Sequence, residues 1–254
     1  MNNDIRLING DCLVEMKTIP DKSIDMILCD LPYGSTANKW DVIIPFDKLW
    51  EEYERIIKPK GNIILFGTGL FAFKLALSNE KLYRYELVWK KSKCGSPLTA
   101  KYMPLKKHEL ILVFGESASK YNPQMTKGTP YNRKYTPNKT NNMEFGIKGV
   151  QTDNKGTRHP ITVLEFPQKW RRQDQVHPTQ KPVELLEWLI RSYSDEGDTV
   201  LDNTMGSGST MVACVKTNRK GIGIEMDEKY FEIAKNRVSK ALEEKNKPNL
   251  FNLS

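Results

Sequence analysis

The sequence predicts an α/β protein: a mostly parallel sheet with helices on both faces and one irregular inserted lobe. Three observations carry that expectation. Short apolar runs of strand length alternate with stretches that are apolar at helical spacing, before residue 115 and again after residue 176. Two of the runs, in "SIDMILCD" and "DTVLD", stop abruptly at an aspartate followed by a turn bearing proline or glycine. Between the two ordered stretches periodicity disappears, and Asn, Thr, Lys, Gly and Pro dominate. A chain of 254 residues suffices for one large core with a substantial insertion. The expected division is 1–115 and 176–245 as two halves of one core, 116–175 as the insertion and 246–254 as a polar tail.

Taken in order, "INGDCLVEM" is a short element and "SIDMILCD" a buried strand. "PFDKLWEEYERIIKP" places Phe46, Leu49, Trp50, Tyr53, Ile56 and Ile57 on one helical face, ended by Pro59 and Gly61. "NIILFG" is a buried strand and "LFAFKLALSN" a second helix. "YRYELVWKK" and "KHELILVFG" are β-rich and expected to be antiparallel neighbours. "KPVELLEWLIRSYS" is a helix, with Thr179 as N-cap and Pro182 in its first turn. Then come a strand at Val200 and Leu201, a glycine-rich bend, a helix from about Thr210, the strand "GIGIE" and a long amphipathic helix.

Composition narrows the function. No apolar stretch approaches the roughly 20 residues of a membrane span, and the first residues carry no export pattern, so a cytoplasmic protein is expected. The four cysteines have no metal-ligand or disulfide spacing; Cys29 and Cys214 sit in apolar runs as core residues. The net charge of +8 favours a polyanionic partner. Within the insertion, Lys127, Arg133 and Lys134 interleave with Tyr121, Tyr131 and Tyr135, a pattern suited to phosphates and unstacked bases. Composition alone equally describes a solvated linker there.

"TVLDNTMGSGSTMVAC" is the strongest local unit. A strand ends at Asp202, Gly206 and Gly208 let backbone approach a ligand, and a helix N-terminus follows. About twenty residues on, Glu225 ends another strand, where an acid commonly accepts ribose hydroxyls. No lysine makes this a nucleotide-triphosphate loop, and Met211 stands where a dinucleotide fingerprint needs its third glycine. S-adenosylmethionine is the remaining nucleoside cofactor, and Asp202 suits its zwitterionic, sulfonium-bearing end. Asp30 and Tyr33 would then hold the methyl acceptor. A carboxylate and a backbone carbonyl, each accepting one N–H, would aim the lone pair of an exocyclic base amine, and the ring would stack on a flipped base. Pro32 fixes the bend between them. Read alone, Asp30 is also an ordinary turn-capping residue.

The chain resembles the β-class of S-adenosylmethionine-dependent DNA amino-methyltransferases. "DLPYG" is similar to the family's Asp-Pro-Pro-Tyr motif, "DNTMGSGST" to its cofactor loop, and "HPTQKPVELLEWLI" to the segment supporting the methionine end. "GIGIE" and "NGDCL" match the elements that contact ribose and adenine of the cofactor. The resemblance covers most of the chain outside the insertion. It implies a Rossmann-like methyltransferase fold. The acceptor base would be bound by Asp30, the Leu31 carbonyl, Pro32 and Tyr33, and the cofactor by Asp11, Thr179, Lys181, Asp202, Gly206, Gly208 and Glu225. Lys181 is expected to meet the cofactor carboxylate. Two departures stand out: Leu31 replaces the motif's first proline, and Asn203-Thr204 replaces Pro-Phe after Asp202. An aspartate opening the motif implies adenine N6 in double-stranded DNA. Cytosine N4, or a non-catalytic DNA-binding relative, is the alternative. The resemblance also admits a homodimer and a partner restriction endonuclease.

Overall fold

The computed structural model describes residues 4–34, 42–95, 97–116, 118–135, 150–167 and 180–247. Its elements are β1 (Ile5–Asn9), α1 (Cys12–Glu15), β2 (Ile24–Cys29), α2 (Phe46–Ile56), β3 (Ile57–Gly67), α3 (Gly69–Leu77), β4 (Tyr83–Lys90) and β5 (His108–Gly115). Four short strands follow: β6 (Thr126–Lys127), β7 (Tyr131–Tyr135), β8 (Val150–Asn154) and β9 (Thr157–Arg158). The chain continues through β10 (Val163–Glu165), α4 (Val183–Tyr193), β11 (Thr199–Asp202), α5 (Ser209–Lys216), β12 (Lys220–Glu225) and α6 (Glu228–Asn246). Two compact units result, one of residues 1–122 with 162–254 and one of residues 123–161.

The larger unit holds an eight-stranded sheet in the order β1-β12-β11-β2-β3-β5-β4-β10. Every neighbouring pair is parallel except those made by β5, which runs antiparallel to both β3 and β4. The pairing of "YRYELVWKK" with "KHELILVFG" is therefore as expected. Alternation along β2 divides the core. Met26 and Leu28 join Leu185, Leu189, Ala213 and Ala234 of α4, α5 and α6. Ile27 and Cys29 join Leu49, Tyr53 and Phe71 of α2 and α3 on the other face. Cys29 and Cys214 are both buried, as expected of core cysteines.

Three boundaries differ from the sequence expectations. Ile57 opens β3 instead of closing the preceding helix, pairing with Ile24. Residues 58–61 then bulge, so that Met26 pairs with Asn62. Pro59, which cannot donate to a ladder, sits in that bulge, and Lys60 takes φ 65°. Pro182 is the N-cap of α4, one residue before the helix, and Thr179 lies outside the described residues. The stretch 116–175 is divided: the second unit spans 123–161, whereas Val163–Glu165 adds a parallel edge strand beside β4 in the main sheet.

Within the smaller unit, β7 pairs antiparallel with β8, and β6 with β9. Lys127, Arg133 and Lys134 are exposed. Successive strand residues point to opposite faces, so Arg133 shares a face with Tyr131 and Lys134 takes the other. Arg158 stacks over the Tyr131 ring, 4.7 Å from its centroid.

Candidate active site

From β2 the chain winds through α2 to β3; from β11 it winds through α5 to β12, in the opposite direction across the sheet. β2 and β11 are adjacent, so a crevice opens between their carboxyl ends. A cleft of about 800 Å³ lies there, with Asp11, Asp30, Glu109, Lys181, Asp202 and Glu225 in its wall. Each comes from the end of a strand or the turn after it, except Lys181, which precedes α4, and Glu109. Glu109 lies near the start of β5, and only the reversal of that strand brings it to this edge.

On the β2 side, Asp30 follows the face of Met26 and Leu28. Its Oδ1 accepts the Tyr33 hydroxyl at 2.6 Å, and its Oδ2 lies 2.5 Å from the Lys181 ammonium. Lys181 is almost wholly buried, sits 4.9 Å over the Phe66 ring, and faces Glu109 Oε2 at 3.3 Å. Glu109 is also paired with Lys91. Burial penalises both Lys181 and Glu109, but the paired charges outweigh it. The Lys181 pKa is raised by Asp30 and Glu109, and that of Glu109 is lowered by its two lysines. The ring of Tyr33 lies 4.8 Å from Phe71, tilted by 39°.

On the β11 side the acids are held differently. Asp202 is 3% exposed, and burial pushes its pKa up to about 7. The Thr210 hydroxyl and the Thr204 N–H (3.2 Å) oppose that shift. Glu225 accepts the Gly206 N–H at 2.9 Å and the Asp227 N–H at 2.8 Å, and burial raises its pKa too. Asp11 caps α1 by accepting the Leu13 N–H at 2.8 Å. Gly208 takes φ 78°, and a Cβ there would come within 2.8 Å of Ala234 Cβ, so α6 packs against bare backbone. Arg237 of α6 donates to the Ser207 carbonyl (2.5 Å), Ser207 Oγ (2.9 Å) and Ser209 Oγ (3.1 Å), bracing the loop.

The two departures from the family pattern have physical roles. Leu31 is 4% exposed and packs in the α2–α3 core, anchoring the turn by burial where a proline would stiffen it. The Asn203 Oδ1 accepts Tyr53 Oη at 2.6 Å and Cys29 Sγ at 2.8 Å, and Thr204 Oγ1 donates to the Asp30 carbonyl at 3.2 Å. Through Asn203 and Thr204, the β11 turn is hydrogen-bonded to the end of β2.

Of the residues singled out from the sequence, Asp11, Asp30, Leu31, Pro32, Tyr33, Lys181, Asp202, Gly206 and Glu225 line this one cleft. Gly208 lies at the N-cap of α5 behind it. The ammonium of Lys181, the residue expected to meet a cofactor carboxylate, is engaged by Asp30 and Glu109. Sequence reasoning missed Glu109, Lys91, Phe66, Trp89 and Gln180, all in the cleft wall. For Glu109 a signal existed: a carboxylate at the edge of the apolar run "LILVF", the same signature that marked Asp30.

The cleft suits S-adenosylmethionine on its own chemistry. Asp202 is a buried carboxylate bridged by no lysine or arginine among the described residues, which fits an ammonium and a sulfonium. Glu225 and Asp11 offer acceptors at adjacent strand ends, and Gln180 Oε1 and Thr68 Oγ1 are buried acceptors without a hydrogen-bond partner among the described residues.

Comparison with known proteins agrees. The family model described as DNA methylase, N6_N4_Mtase, matches residues 24–236. Type II methyltransferase M.HpaI of Haemophilus parainfluenzae is 31% identical over 92% of this chain and 74% of its own. DNA adenine methyltransferase YhdJ of Escherichia coli is 29% identical over 92% and 83%. Among solved structures, the cytosine-N4-specific PvuII DNA methyltransferase superposes with TM-score 0.68 at 16% identity, covering 96% of this chain and 92% of that one. The M1.HpyAVI complex with S-adenosylmethionine gives TM-score 0.63 at 22% identity, covering 92% and 98%. The fold is therefore Rossmann-like, and the chain belongs to the N6/N4 family of DNA methyltransferases, whose methyl donor is S-adenosylmethionine.

Proposed function

We propose that this protein transfers the methyl group of S-adenosylmethionine to the exocyclic N6 of an adenine extruded from double-stranded DNA. One observation carries the reading: Asp30 and Tyr33 at the end of β2 face Asp202 and Glu225 at the ends of β11 and β12 across a single cleft. Adenine is favoured because an aspartate opens the motif, and because YhdJ, alike over most of its length, is named an adenine enzyme.

The cofactor supplies an electrophilic methyl group on a sulfonium. Asp202 would hold its ammonium end, Glu225 its ribose hydroxyls and Asp11 its adenine. The remaining chemistry is positioning. The base amine is a poor nucleophile while its lone pair is delocalised into the ring. Asp30 and the Leu31 carbonyl, each accepting one N–H, favour a pyramidal nitrogen with its lone pair aimed across the cleft. Tyr33 is fixed to Asp30 by its hydroxyl, and its ring would stack on the base. As nitrogen gains positive charge, the Asp30 carboxylate stabilises it, and the N–H proton leaves along that hydrogen bond to water. Lys127, Arg133 and Lys134 of the smaller unit supply phosphate contacts.

The test is product identity. Purified protein is incubated with the cofactor and unmethylated DNA, and the nucleosides are identified by mass spectrometry, with Asp30→Ala in parallel. N6-methyladenine that disappears in the variant supports the reading. N4-methylcytosine overturns the choice of base, and unaltered product from the variant overturns the role of Asp30.

A further inference from the structure

The Lys181–Asp30 pair does not stand alone. Glu109 is a carboxylate whose buried Oε2 makes no hydrogen bond among the described residues and is met by Lys181 at 3.3 Å, while Lys91 engages its Oε1. Asp30, Lys181, Glu109 and Lys91 thus form one chain of alternating charges. They are drawn from four places: the β2 turn, the segment before α4, the start of β5 and the end of β4. An isolated cation as buried as Lys181 is costly, and a single acid 2.5 Å away would leave it free to swing about that acid. A second carboxylate on a strand fixes it.

We propose that Glu109 is a positioning residue of the methyl-acceptor site. Acting through Lys181, it sets which oxygen and which lone pairs of Asp30 face the incoming amine. This rests on the reading of Asp30 as the amine acceptor. With Oδ1 held by Tyr33 and Oδ2 by Lys181, the carboxylate cannot rotate, and its remaining lone pairs have fixed directions. The titratable and charged groups facing this centre are Tyr33, Glu109, Lys91 and, across the crevice, Asp202. Phe66 and Trp89 complete the wall with apolar rings, which strengthen the charge interactions by excluding water.

The test is a double-mutant cycle of Glu109→Gln and Lys181→Met, with kcat and KM for cofactor and DNA measured alongside thermal stability. Glu109→Gln is expected to lower kcat on the order of tenfold to a hundredfold, leaving both KM values within about twofold. The double variant is expected to be no slower than Lys181→Met alone. A raised cofactor KM at unchanged kcat, or losses that multiply in the double variant, would overturn the proposal. Full turnover by Glu109→Gln would do the same. An arm independent of turnover follows the Lys181 ε-ammonium by nitrogen-15 NMR. Its hydrogens should exchange slowly in the wild type and at least about fivefold faster in Glu109→Gln as the group loses its anchor. Unchanged exchange overturns the positioning role even if the wild type methylates no DNA base, a result that would separately overturn the proposed reaction.

Discussion

Asp202 and Glu225, at the ends of β11 and β12, are held by backbone amides and, at Asp202, a threonine hydroxyl; burial raises the pKa of both. Asp30, just past the end of β2, and Glu109, near the start of the reversed β5, are instead held by lysine ammoniums, and Glu109 titrates below the usual carboxylate range. The same cleft edge therefore carries two kinds of acid. A carboxylate buried without a cation is poised to gain most from a cationic ligand. A carboxylate already paired with lysine gains little from a second cation, but it offers directed lone pairs to a neutral N–H. The first arrangement suits a sulfonium- and ammonium-bearing donor. The second suits a base amine. On the proposed reading, charge assignment separates donor from acceptor before either arrives.

The sharpest way to break this division is Asp30→Asn. The shape is kept, but the charge that stabilises the nitrogen is lost, so kcat should fall about 10²- to 10³-fold in a methyl-transfer assay. Retention of more than about a third of wild-type turnover would place Asp30 outside the reaction.

The next effect is one of stability. Asp202 titrates at about 7 in the fold against 3.8 for an unperturbed aspartate. Below 3.8 both folded and unfolded states carry the proton and the group is neutral in effect. As pH rises towards 7 the unfolded chain ionises first, so stability is progressively lost, and the loss is complete above about 7. Asp202→Asn removes that penalty and should stabilise the cofactor-free protein at pH 8 by up to about 4 kcal/mol. The gain should vanish near pH 4. Denaturant unfolding at the two pH values checks the sign; equal effects at both would show that Asp202 is not buried as a strained anion.

The smallest effect concerns the other unit. Arg133 and Lys134 lie on opposite faces of the β7–β8 ribbon, and Arg133 shares its face with Tyr131 and the stacked Arg158. Duplex bound on that face meets Arg133 alone of the two. Arg133→Gln should reduce the slope of log affinity against log salt by about 1, and Lys134→Gln by much less. Equal reductions would show that DNA wraps both faces.

The donor side was largely legible in the sequence. Asp202 and Glu225 each end a short apolar run, and the glycine pattern between them names a ligand-binding turn without reference to anything distant. Asp30 was legible for the same reason. Its links to Lys181 and Glu109 were not. Lys181 lies 151 residues away in sequence, and no local pattern announces that its ammonium crosses to the β2 turn. Glu109 opens its apolar run instead of closing it, so placing it at the carboxyl edge required knowing that β5 is reversed, a fact held in the pairing of β5 with β3 and β4. The three-residue strand β10 carries too little periodicity to be read, and it is defined only by hydrogen bonds to β4. Ile57 fits a helical face and a strand equally; the bulge at Pro59 decides it.

The division of the cleft into donor and acceptor acids is tested most directly by titrating S-adenosylmethionine into Asp30→Asn and Asp202→Asn by calorimetry at pH 8. The wild-type Kd should be preserved within about twofold in Asp30→Asn and weakened about 10- to 100-fold in Asp202→Asn, the loss of hydrogen bonds to a charged group. Loss of affinity in Asp30→Asn with affinity intact in Asp202→Asn would reverse the assignment and contradict the account.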